Sequence, residues 1–112
     1  MKIKPGYAGV WRITEMSMWD QNFIDLVAPG HLTVKPDGTG TFAFGAIEAE
    51  IDCRIETPED KERLMFSFAG WDEGTDISGS GWAVADGNRM EGWFRFHLGD
   101  ESMFKAEKKK TK

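Results

Sequence analysis

Ala46-Ile47-Glu48-Ala49-Glu50-Ile51-Asp52-Cys53-Arg54-Ile55-Glu56 alternates along its whole length. Ile47, Ala49, Ile51, Cys53 and Ile55 share one side of an extended chain, and Glu48, Glu50, Asp52 and Arg54 share the other. Successive side chains of a strand point to opposite faces. This stretch is therefore a strand in a sheet with one dry face and one wet face. The charged run Thr57-Pro58-Glu59-Asp60-Lys61-Glu62 ends it as a surface loop.

The same pattern recurs on both sides. Turn signals fall at Pro36-Asp37-Gly38, Asp72-Glu73-Gly74, Asp86-Gly87-Asn88 and Gly99-Asp100-Glu101. Proline presets φ, aspartate bonds locally, and glycine accepts the left-handed position. Between these turns the sequence predicts strands over 9–16, 31–35, 39–44, 46–56, 64–71, 75–85, 89–98 and 102–108. In the segment 89–98, Met90, Phe94, Phe96 and Leu98 point one way and Glu91, Trp93, Arg95 and His97 the other. The apolar phase slips by one residue at Gly45-Ala46. Such a slip is either a tight turn or a bulge, so the strand count is seven or eight.

One segment has a different period. Ser17 with Asp20 resembles a helix-capping pair. Trp19, Phe23 and either Leu26 or Val27 recur at helical spacing before Pro29-Gly30 stops the run. The expectation is a short amphipathic helix over 17–28, lying across one end of the sheet and burying Trp19 and Phe23. Every connection after Pro29 is short, which favours an up-and-down meander over a Greek key. The predicted fold is all-β: an antiparallel up-and-down meander of seven or eight strands, closed or nearly closed as a barrel, with that one helix. A barrel of eight strands has an interior just wide enough to fill with side chains or to hold one small ligand. The inward set includes Ile13, Phe42, Phe44, Ile51, Phe66, Phe68, Phe94, Phe96 and Phe104, so a small apolar cavity, or none, is expected.

Composition fits a single domain. The 112 residues include 13 glycines. Residues 1–104 form the barrel, and 105–112 form the end of the last strand and a lysine-rich tail. The net charge is −5, but that tail holds five lysines against one glutamate, leaving the body at −9. An acidic body repels phosphates, which argues against a nucleic-acid partner. The tail reads as solvated. The single cysteine, Cys53, lies on the inward phase as a core residue, and a reducing, cytoplasmic location is the simple reading. The charged start, Met1-Lys2-Ile3-Lys4, is followed by no apolar stretch, so no secretory signal and no membrane span are expected.

Gly9-Val10-Trp11 can be read as a G-x-W opening the first strand. It resembles the opening of lipocalins and related calycin barrels, with a length closer to the compact, avidin-like members. The runs Phe66-Ser67-Phe68-Ala69-Gly70-Trp71-Asp72-Glu73, Gly79-Ser80-Gly81 and Phe96-His97-Leu98-Gly99-Asp100 are similar to small uncharacterised bacterial proteins of this kind. In calycins the tryptophan closes one barrel end and packs on a basic side chain near the last strand. The resemblance thus implies closing roles for Gly9 and Trp11, with Lys105 or Arg95 as the basic partner. It implies a fold and brings no activity.

Candidate chemistry is sparse. Asp72, Glu73 and Asp76 crowd one turn, with Glu50 and Asp52 on a neighbouring strand. They form a solvated turn, or a calcium site through oxygen ligands, or a polar site at the barrel mouth that meets Arg54, Arg89 or Arg95. EF-hand spacing is absent. His31 and His97 are the only histidines and stand in no zinc motif, so no metal or other cofactor is expected. Gly79-Ser80-Gly81 has no lysine and no following helix, and so fails as a phosphate loop. The aromatic residues are the stronger lead. Trp71, Trp82 and Trp93 lie on three successive strands, opposite in phase to Phe66, Phe68, Phe94 and Phe96. Either the helix covers these tryptophans or they form a binding surface.

The function expected is non-enzymatic binding of a small apolar or aromatic ligand at the barrel interior or mouth. Phe66, Phe68, Trp71, Trp93, Phe94 and Phe96 supply contact area, and Asp72, Arg95 and His97 supply orientation. An alternative is a protein-interaction or inhibitor module that uses exposed tryptophans and the acidic surface against a protein partner or a second copy. A second alternative is a small hydrolase or isomerase using Asp72, Glu73 and Asp76 with His97.

Overall fold

Eight strands close into a barrel in the order in which they occur along the chain. They are β1 (Gly9–Met16), β2 (His31–Val34), β3 (Thr39–Phe44), β4 (Ile47–Glu56), β5 (Arg63–Asp72), β6 (Thr75–Asp86), β7 (Arg89–Phe96) and β8 (Glu101–Lys108). The structure, a computed structural model, describes residues 3–109. Each strand pairs antiparallel with the next, and β8 returns to pair with β1. This is the predicted meander, fully closed. The phase slip at Gly45-Ala46 is a turn: Phe44 pairs with Ile47, and Gly45 takes a φ of 59°. Two-residue hairpin turns need such a positive φ, which sets the count at eight. A bulge in β1 between Ile13 and Glu15 lets both Ile13 and Met16 face inward.

The interior is filled by interlocked rings. Phe42 contacts Phe66, Phe68 and Phe94 with centroids 6.2, 5.3 and 5.2 Å apart, each near edge-to-face. Tilted and edge-on rings are the favourable arrangement for their quadrupoles. Glycines directly opposite make room for three of the phenyl groups: Phe66 pairs with Gly81, Phe68 with Gly79 and Phe104 with Gly92. A Cβ at Gly81 would lie 2.2 Å from the Trp93 carbonyl oxygen and 2.7 Å from Phe66 Cζ. Only glycine fits there. Cys53 is buried in the same core.

Both ends of the barrel are plugged. At one end the connection from β1 to β2 folds inward, but its helix is far shorter than the predicted 17–28. The helix α1 spans only Gln21–Ile24, and Asp20 rather than Ser17 caps it, accepting from Phe23 N at 2.9 Å. Ser17 is committed elsewhere: its Oγ accepts from Met103 N at 2.9 Å and lies 3.3 Å from the buried Ser102 Oγ, fastening β1 to β8. Trp19 stacks on Phe94 at 6.2 Å and packs on Phe44 at 5.1 Å, and Ile24 is fully buried. Phe23, expected to be buried, is 37% exposed over Gly45, while Leu26 and Val27 face solvent. Asp25 locks this plug to the barrel. It accepts from Arg12 Nη2 at 2.6 Å and from Gly30 N at 2.9 Å.

The opposite end is closed by residues 3–8. Ile3 and Tyr7 are buried, Ile3 N donates to the Pro36 carbonyl at 3.1 Å, and Lys4 pairs with Glu62. Trp11 is buried beneath this segment and donates from Nε1 to the Tyr7 carbonyl at 2.9 Å. The basic partner of Trp11 is neither Lys105 nor Arg95, because both lie on the outward phase and are exposed. Lys108 takes that place. Its Nζ sits 5.1 Å from the indole centroid and donates to the Pro5 and Gly6 carbonyls, a cation–π contact tied to the plug. Leu98, placed inward by its phase, lies beyond β7 in the following turn, at φ 58° and 87% exposed.

Two outcomes follow from this packing. Gly81→Ala forces the Phe66 ring and the β7 backbone apart and should destabilise the protein by about 2–3 kcal/mol in urea unfolding. The Arg12 guanidinium, with help from the Gly30 N–H, holds the Asp25 carboxyl down at about 2. Its contribution is therefore complete above the unfolded value of about 3.9 and is lost as pH falls through about 2. Asp25→Asn should cost about 1–2 kcal/mol at neutral pH, allowing for partial exposure of the pair. Thermal unfolding across pH should show that deficit shrinking to nothing near pH 2.

Candidate functional site

Because the core is closed at both ends, the residues expected to form one ligand site are divided by the thickness of the wall. Phe66, Phe68 and Phe94 are buried inside, and half-buried Phe96 packs against them. Trp71, Trp93, Arg95 and His97 lie on the outer surface, and Asp72 ends β5 at the rim. Strand alternation makes this division unavoidable, since 66 and 68 differ in parity from 71.

On the outside, cross-strand register assembles a cleft around Trp71. His31 pairs with Ala43, Ala43 with Glu48, and Glu48 with Trp71. Side chains directly opposite in a sheet lie about 5 Å apart, so these four make one continuous row. The short Ala43 side chain leaves a depression of about 250 Å³ between His31, Thr41, Glu48, Glu50 and Trp71. The Trp71 side chain is 53% exposed beside it. His31 is held with Nδ1 3.2 Å from the Pro29 carbonyl and Nε2 3.4 Å from Thr41 Oγ1. An adjoining cavity of about 410 Å³ shares His31, Ala43 and Glu48 and extends over Val27, Pro29, Ile47 and Glu73 at the helix end of the barrel. Its wall is mainly apolar, with carboxylates at the edge. Sequence reading pointed to Trp71 but missed His31, Ala43 and Glu48 as its neighbours. Only the pairing register brings them into one row.

Trp82 and Trp93 form a different surface. They pair directly, in a row running Met65, Trp82, Trp93 and Met103. The Arg63 guanidinium lies 4.5 Å from the Trp82 ring centroid, and Trp93 Nε1 donates to Glu101 Oε1 at 2.8 Å. The plug does not cover these residues: its tryptophan, Trp19, makes the ring contacts at the barrel end, and Trp71, Trp82 and Trp93 stay on the outer wall.

Arg95 and His97 meet in a third place, a shallow groove with Ser67, Ser78 and Ser80. Asp72, Glu73 and Asp76 remain around the β5–β6 turn, where Glu73 has a φ of 51°. Among the described residues, no group of three or more histidine, cysteine, aspartate or glutamate side chains is arranged to hold a metal ion. None of the three carboxylates hydrogen-bonds His97, whose backbone N–H donates to the Ser78 carbonyl at 2.7 Å. The acid–base constellation considered for a hydrolase is not assembled. Of the arginines weighed as partners for these carboxylates, Arg54 pairs with Glu56 at 3.8 Å, and Arg89 sits opposite Asp86 and Glu107.

No family model matches the chain, and no curated protein or solved structure matches it. No helix among the described residues is long and apolar enough to cross a membrane.

The two kinds of tryptophan should separate cleanly on mutation. Trp71→Ala removes a half-exposed ring and should change stability by no more than about 0.5 kcal/mol. Trp11→Ala empties a buried site and should cost about 3–5 kcal/mol. Chemical denaturation of the two variants measures both.

Proposed function

We propose that this barrel is a non-enzymatic small-molecule binding protein that holds a largely apolar ligand on its outer wall near the helix end, against Trp71, rather than in its interior. The observation that carries the reading is the half-exposed Trp71 beside a cleft of about 250 Å³ that runs into a mainly apolar cavity of about 410 Å³. Ligand sites are concave and mostly apolar, with a few placed polar groups. Val27, Pro29, Ile47 and Trp71 supply the apolar wall, and His31, Glu48 and Glu50 supply orientation. The filled core favours the outer wall over the interior. A calycin-like ancestry accords with Gly9-Val10-Trp11 and with Lys108 lying over the Trp11 ring. A cytoplasmic location accords with the single cysteine.

A second reading has a specific observation behind it. Val27, 71% exposed, lines the same cavity as Glu48 and Glu73, and its neighbour Leu26 is 64% exposed. An apolar edge beside carboxylates suits a basic protein segment, or a second copy of the chain, as well as it suits a small ligand.

Tryptophan fluorescence and thermal-shift titration with fatty acids, small aromatics and flavin-like compounds should find a binder that raises the Tm of the wild-type protein and not of Trp71→Ala. A ligand equally effective on Trp71→Ala would place binding elsewhere. If no compound shifts the Tm but light scattering shows a dimer that Val27→Asp dissolves, the interaction reading replaces the first.

A further inference from the structure

We infer that the outer wall of β5–β7 carries a second, separate site, for a compact oxyanion such as a phosphate or carboxylate group, built from Ser67, Ser78, Ser80, Arg95 and His97. Ser67 pairs with Ser80, and Ser80 with Arg95, so two hydroxyls and a guanidinium stand in one cross-strand row. Ser78 lies two residues along β6 on the same outward phase. His97 is pinned beside it by the hydrogen bond from its backbone N–H to the Ser78 carbonyl at 2.7 Å. These groups surround an open groove of about 410 Å³.

Three features separate this patch from an ordinary wet sheet face. First, no carboxylate lines the groove, although the body of the chain is strongly acidic. Second, Glu101 pairs directly opposite Arg95 but its Oε1 accepts from the Trp93 indole N–H at 2.8 Å instead of engaging the guanidinium. Among the described residues no ion pair engages Arg95. Third, the Ser67, Ser78 and Ser80 hydroxyls make no hydrogen bond to another described residue. A guanidinium and three hydroxyls around one groove supply donors for several oxygens of a single anion, and charge-assisted hydrogen bonds to arginine are the strong ones.

The surroundings also limit the size of the ligand. Asp52 pairs with Ser67 at one end of the row, and Glu101 with Arg95 at the other. These two carboxylates bracket the groove and repel any anion that extends past it. This bracket favours a single phosphate or carboxylate group over a polyanionic strand lying across the row.

Amide chemical-shift titration of the full chain tests this, using inorganic phosphate and acetate in parallel at constant ionic strength set with chloride. The expected result is saturable shifts at residues 78–80 and 95–97 with phosphate, acetate or both, which also tells the two sources apart. Arg95→Gln should weaken binding about tenfold and Ser80→Ala about threefold. Both positions are exposed, so spectra away from the groove should stay unchanged. Shifts no larger than those caused by chloride alone would overturn the site. So would shifts that persist undiminished in Arg95→Gln.

Discussion

The structure depends on the fit between phenyl rings and missing side chains. Phe66 over Gly81, Phe68 over Gly79 and Phe104 over Gly92 are direct cross-strand pairs, and in each the ring occupies the volume a Cβ would need. An eight-stranded barrel has little interior to spare. Without those glycines the aromatic layer could not close, and without the rings the glycines would leave voids. Closely packed interiors tolerate neither. The same fit explains why the core is full, and a full core leaves the open clefts on the outside of the wall.

Much of this architecture was legible in the residues. Alternation in 46–56 and turn chemistry at Pro36-Asp37-Gly38 and Asp86-Gly87-Asn88 located the strands to within a residue or two. The short loops gave the meander. The helix was misread because Ser17 and Asp20 both have capping chemistry. Nothing local reveals that the Ser17 hydroxyl bonds to Met103 and Ser102, some eighty-five positions away. Leu98 was misplaced because strand parity was carried two residues beyond the end of β7. The partner of Trp11 was misassigned for a related reason. Alternation with Phe104 and Ala106 already turns Lys105 outward, and the register and the plug at residues 3–8, which are not visible along the chain, then bring Lys108 over the ring.

The candidate site was less legible than the fold. Trp71, Arg95 and His97 face outward. They had been grouped with Phe66, Phe68, Phe94 and Phe96, which face the other way. Residue type suggests which side chains have chemistry, but only pairing decides which of them meet. His31 and Ala43 join Trp71 through three successive strand pairings, and Ser67 and Ser80 join Arg95 through two.

The seam between β1 and β8 joins the first and last strands of the barrel, clasped by Ser17 at one end and by Lys108 and Lys109 at the other. Pairing across so long a separation is the slowest event in forming a β-protein, since loop entropy is spent before the contact is gained. A nascent chain lacking β8 would present two raw sheet margins, on β1 and β7, each a template for aberrant association. For this molecule, vulnerability during synthesis lasts until β8 emerges and the ring can close.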